Sequence, residues 1–199
     1  MEITRILAVA ALAAVPAQAR ETEQPLGPAV TACVDMGPQT MLGYQAEAIA
    51  VRMFAQAGVD LKWRPSWGSC PADGIRIAFT INTPAVYLPG ALAFAQPYEG
   101  VHIRIFLDRV EQTIESGKVP SLLAHVMVHE ITHILQGVSR HSPTGVMKPR
   151  WDRDDYSQMA WRPLPFTEAD IVLIRLGMKA RASPSALVSA TLVPQSRER

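Results

Sequence analysis

Apolar and polar positions along this chain change period several times, and each change predicts an element. Residues 20–29 are polar and proline-bearing and read as a loose lead, and Val30 to Val34 as a first short strand. From Thr40 to Ala57, Met41, Ile49, Met53 and Phe54 recur at helical spacing with alanines between them, and Gly58 follows as a stop. Val59 to Trp63 and Ile75 to Phe79 alternate with period two, as half-buried strands do. Between them, Arg64 to Asp73 holds prolines, a glycine and Cys70 and reads as a loop, as does Asn82 to Gly90 with its two prolines. Ala91 to Ala95 and Val101 to Leu107 read as two further strands.

A long apolar run then begins near Pro120-Ser121 and continues to Gln136-Gly137, with proline suited to a first helical turn. An irregular segment follows. A last helix is predicted from Thr167, where Thr167-Glu168-Ala169-Asp170 resembles a capping box with Asp in place of Glu, to Leu176-Gly177. Strands and one helix, then a long helix, then a closing helix define an α+β domain with a mixed sheet.

Composition narrows this only modestly. The 199 residues are 48% hydrophobic and 19% charged with a formal net charge of +1, which suits one domain with a real core. No block of like charge argues for nucleic acid or a membrane surface. The N-terminus carries more information. Met1 to Arg5 holds one positive side chain, Ile6 to Val15 is an apolar run too short to span a bilayer, and Ala17-Gln18-Ala19 gives a small-x-small ending. We therefore expect a signal peptide over residues 1–19, export to the periplasm or the extracellular space, and no membrane insertion of the mature form. The expected layout continues with a lead over 20–29, a domain over 30–179 and a tail over 180–199. Export permits disulfides, and the two cysteines, Cys33 and Cys70, allow one pairing. Its loop of about 36 residues is worth about 3–4 kcal/mol on a chain-entropy account.

The chemistry lies in the long helix. His129-Glu130-Ile131-Thr132-His133 is an H-E-x-x-H motif. Two histidines four apart share one helix face, so both imidazoles can reach a single zinc ion, with Glu130 beside it to act on a water. A catalytic zinc needs a third protein ligand and an open position. His125 lies about 12 Å along the axis from His133 and reads instead as a packed histidine. His141 is the candidate, because Gly137 can turn the chain back under the helix. His102 reads as a surface or packed residue, and Asp152, Asp154 and Asp155 as a solvated turn rather than a calcium site. Asp108 either lines the site or ends a strand. Trp63, Trp67, Trp151 and Trp161 read as core or loop anchors.

The segment from His129 to Met147 resembles the metzincin branch of the zincin metalloproteases, whose pattern is H-E-x-x-H-x-x-G-x-x-H followed by a turn bearing a methionine. The resemblance implies a zincin-like fold, one catalytic zinc on His129, His133 and His141, Glu130 as general base, and Met147 as the turn methionine. It departs from the pattern in two places. His133 and His141 are eight apart where the family has six, and Lys148-Pro149-Arg150-Trp151 stands where a tyrosine is usual. Gly74 to Phe79 resembles the family's central strand, and Ala91, Leu92, Ala93 and Phe94 its substrate-binding edge strand, which pairs with an extended peptide. The implied function is a secreted zinc-dependent endopeptidase, probing peptide or protein substrates as a monomer and without nucleic acid. Similar patterns in secreted bacterial proteins imply a bacterial source. An exported zinc-binding module without protease activity, or an amidase acting on cell-wall peptides, stays open.

Overall fold

The computed structural model describes residues 29–35, 41–65, 70–95 and 101–182. The expected signal peptide, most of the N-terminal lead, Trp67 and residues 183–199 lie outside them. The elements in chain order are β1 (Ala29–Asp35), α1 (Met41–Gln56), β2 (Asp60–Pro65), β3 (Ile75–Thr80), β4 (Ala93–Ala95), β5 (His102–Phe106), α2 (Leu107–Thr113), α3 (Val119–Gln136), α4 (Arg153–Met159) and α5 (Glu168–Ala182), with a 3-10 turn at Ser116–Lys118 before α3.

The five strands form one sheet in the order β2-β1-β3-β5-β4. The first four run parallel, and β4 pairs antiparallel with β5 at the edge. Alternation sets the faces. Ile77 pairs with Ile103 and Phe79 with Ile105, which puts Ile75, Ile77, Ile103 and Ile105 into the core while His102 and Arg104 face outward. His102 is thus a surface residue. On β1 the backbone is covered on both faces, and Cys33 is bonded to Cys70 with Cα atoms 6.0 Å apart, as expected.

Helix α3 is the centre of the molecule. It is apolar around nearly its whole circumference and buried from Leu122 to His129 and from Ile131 to Gln136, as a helix of that composition must be. Helix α1 packs on it through Gly43, Ala46, Ala50, Met53 and Phe54, whose spacing defines one face. Helix α5 crosses its C-terminal end.

That crossing corrects an expectation. Gly177 does not stop the last helix, which continues to Ala182 and so takes in the start of the expected tail. A Cβ at Gly177 would lie 1.8 Å from the Leu135 carbonyl oxygen. Glycine is there because two helix backbones touch, not because one ends. The true stops, Gly58 and Gly137, have φ of +77° and +67°.

Two short helices were not expected. Leu107, assigned to a strand, begins α2, whose seven residues have only Val110 buried. Helix α4 arises from the acidic cluster. Asp152 accepts from the backbone N–H groups of Asp154 and Asp155, and Asp155 accepts from the N–H of Asp152, a reciprocal cap. Trp63 is half-buried and donates to the Glu47 carbonyl, as an anchor should, whereas Trp161 is 92% exposed and anchors nothing.

Candidate metal centre

Helix α3 presents His129 and His133 one turn apart and ends where Gly137 donates to the His133 carbonyl. The chain then doubles back. His133 Nδ1 meets the Val138 carbonyl at 3.1 Å, and His129 Nδ1 meets the Val146 carbonyl at 2.9 Å. A carbonyl only accepts, so both Nδ1 atoms carry the proton. Both Nε2 atoms are then bare, and they face each other at 3.1 Å. Two lone pairs at that distance repel unless a cation lies between them. Tetrahedral zinc, with Zn–N bonds of about 2.0–2.1 Å, brings neighbouring nitrogens to about 3.4 Å.

His141 completes the group. A ligand nitrogen from each of His129, His133 and His141 falls within 4.8 Å of the other two, and they are the residues among those described that could hold a metal together. The His141 ring stacks on His129 at 5.2 Å and stands edge-on to His133 at 4.9 Å. The two additional residues in the connecting turn therefore do not keep His141 from the other histidines. Burial is the main reason that the pKa of each of the three is lowered, that of His129 to about 4.

The turn itself is tied from two sides. Ser142 N–H donates to the Met147 carbonyl, and Val146 N–H to the Pro165 carbonyl. Gly145, at φ +77°, lies so close to Pro165 that a Cβ would come within 2.2 Å of its carbonyl oxygen. Met147 is wholly buried in the core.

Asp170 is a further tie, and sequence reading found it only as a cap. It forms the expected box with Thr167, accepting from that residue's N–H and hydroxyl while its own N–H meets the hydroxyl. Wholly buried, it also accepts from Ser142 Oγ at 2.6 Å and from Arg140 Nη1 at 3.2 Å, on either side of His141. Burial alone would raise its pKa; the hydrogen bonds from Ser142, Thr167 and Arg140 outweigh that and hold it below the ordinary 3.8. A carboxylate with a lowered folded-state pKa contributes stability that is complete above about pH 4 and is lost as pH falls through the lowered value. Asp170→Asn should therefore destabilise the protein by about 2–3 kcal/mol and weaken metal binding about tenfold, by analogy with outer partners of metal ligands. Thermal melts at pH 7 and pH 3 check this: the gap between wild type and variant should shrink at the lower pH.

His125 is a packed histidine, as expected. Its Nδ1 donates to the Ser121 carbonyl and its Nε2 accepts from Leu164 N–H. Asp108 does not line the site. It accepts from the Thr83 hydroxyl and N–H, and Arg109 beside it donates to the carbonyls of Leu88 and Ala91. Together they pin the loop before β4.

A cleft of about 420 Å³ opens over the histidines. One wall is Leu88 to Ala95, which includes the expected edge residues Ala91, Leu92, Ala93 and Phe94. Only Ala93 and Phe94 of these four are in the strand; Leu92 adds one bond, accepting from Phe106 N–H at 2.9 Å. Glu130, half-buried on α3, lines the floor, and burial pushes its carboxyl up to about 7. The other wall holds Lys148, Arg150, Trp151 and Tyr156, none of them assigned to the site from sequence. The Trp151 ring stands edge-on to His129 at 5.6 Å. Asp152 and Asp155 both bind Lys148, so this acidic pair already holds a cation of the protein's own.

Mixed sheet, buried central helix and three converging histidines make this an α+β chain of zincin-like fold. A crystal structure of the archaemetzincin from Methanopyrus kandleri matches it with a TM-score of 0.50 over 81% of this chain and 99% of that one. Sequence identity is 12%, so the likeness is one of fold. No family model and no curated protein matches the sequence.

Proposed function

We propose that this protein is an exported zinc-dependent endopeptidase. The observation that carries the reading is the pair of bare Nε2 atoms at 3.1 Å, both rings locked by carbonyls, with a third histidine converging on them beneath an open cleft. His129, His133 and His141 would hold one zinc ion. Bound there, zinc supplies Lewis acidity, lowering the pKa of a water towards about 7 and polarising a carbonyl.

The rest falls to the chain. Among the described residues the outer edge of β4 has no strand partner, and it offers its main chain to an extended peptide. Glu130 takes the proton of the attacking water and returns it to the leaving amine. Tyr156 lines the cleft and would donate its phenol proton to a developing oxyanion; burial, followed by the charges of Asp155 and Asp152, raises its pKa. Trp151 covers His129 and narrows the space open to solvent. Met147 underlies the turn.

Export is part of the proposal, with cleavage after Ala19. The Cys33–Cys70 bond suits an oxidising compartment. No helix among the described residues is long and apolar enough to cross a membrane.

The test is metal content and turnover of the chain from Arg20 onward. About one zinc per chain is expected, with cleavage of unstructured peptides that a chelator abolishes and added zinc restores. Bound zinc with no peptide cleavage would leave the zinc-binding module. Cleavage confined to cell-wall peptides would leave the amidase. No bound metal after reconstitution would end all three readings.

A further inference from the structure

The wall of the cleft opposite β4 carries its charge unevenly. Lys148 is held between Asp152 at 2.5 Å and Asp155 at 2.6 Å, so its charge is answered within the protein. Arg150, two residues on, also lines the cleft, is exposed, and has no ion pair or hydrogen bond with any described residue. It holds no element in place. The chain on either side of it is nevertheless anchored. Met147 on one side is wholly buried, and Trp151 on the other stands against both His129 and His125 at 5.6 and 6.3 Å. Among the described residues the one carboxylate lining the cleft is Glu130, and it makes no ion pair with Arg150. The remaining wall is apolar, with Leu88, Leu92 and Phe94.

A guanidinium is a planar fork of donors matched to a carboxylate. On an open surface such a pair is worth little, but a peptide filling a cleft displaces water and strengthens it. We propose that Arg150 receives a substrate carboxylate, so that the protein selects peptides carrying one within a few residues of the bond to be cut. This rests on the peptidase reading. The carboxylate comes either from an Asp or Glu side chain or from the peptide's own C-terminus, and paired probes separate the two.

The probes are fluorescent octapeptides that differ only as Glu or Gln at each position in turn, each with a free and an amidated C-terminus. Binding is measured by anisotropy to zinc-loaded Glu130→Gln protein, which removes turnover from the readout. At the responsive position the Glu peptide should bind about tenfold tighter than its Gln twin, a difference of about 1.4 kcal/mol. Adding Arg150→Gln should erase that ratio, and Arg150→Glu should reverse it in favour of the Gln peptide. A ratio that follows the free C-terminus instead assigns the carboxylate to the chain end. Equal binding of all pairs, or an undiminished ratio after Arg150→Gln, overturns the inference. Selective binding with no cleavage by the wild-type protein overturns the peptidase reading while leaving carboxylate recognition in place.

Discussion

Glu130→Gln is expected to keep its zinc and to lose about 10²- to 10⁴-fold in kcat, the range that a positioned general base supplies. Glutamine fills the same volume, so the α3 backbone and the two ring orientations survive. The rings are locked by Val146 and Val138, not by Glu130. What disappears is the only carboxylate among the described residues that line the cleft. The metal-free protein provides a second readout. Burial raises the Glu130 carboxyl from 4.5 to about 7, so the folded state keeps a proton that the unfolded state has released. Between those values the Glu130 contribution to stability falls as pH rises, against the histidines of lowered pKa, whose contribution rises, and the difference between wild type and the glutamine variant isolates it. Metal analysis, peptide hydrolysis and apoprotein melts from pH 4 to 8 measure all three. A variant that cleaves at the wild-type rate would show that the proton is taken elsewhere.

His141→Ala should weaken zinc binding by more than the roughly 10- to 100-fold that an outer partner of a ligand is worth, because a ligand itself is lost. The fold should hardly notice. His141 is exposed, and the turn that carries it is secured by Ser142, Arg140 and Val146. The metal-free melting point should therefore move by less than about 0.5 kcal/mol equivalent, as for an ordinary surface change. The rise in melting point that saturating zinc gives the wild type should collapse, since that rise follows ligand concentration over Kd. Isothermal titration with zinc distinguishes the outcomes. Unchanged affinity would remove His141 from the ligand set, and with it the site as drawn.

Much of this was legible in the sequence because the relevant signals are local. Period-two alternation marks β2, β3 and β5, and H-E-x-x-H puts two rings on one turn of a continuous apolar helix. The residues that escaped are those whose meaning is set at a distance. Helix α2 has one buried side chain and no side-chain cap, so periodicity had nothing to register. Helix α4 is defined by the cap of Asp152, and four nearby charges conceal a cap as easily as they suggest a solvated turn. With α4 unseen, Tyr156 had no route to the cleft. Gly177 carries the same letter as Gly137, yet one turns the chain and the other admits a neighbouring backbone; only the packing separates them. Asp170 was readable as a helix cap, but its hold on Ser142 and Arg140 spans 28 and 30 residues and leaves no mark in any local window.

The hold of Asp170 on the His141 turn has a consequence for timing. Ribosomes deliver His129, His133 and His141 well before Thr167 and Asp170, yet the turn is secured only when those later residues dock, through Pro165 on Val146 and Asp170 on Ser142. Assembly of the centre is thereby coupled to the arrival of the closing helix. An incomplete chain carries every ligand but lacks the clasp that gathers them, so competence emerges late, with the finished domain.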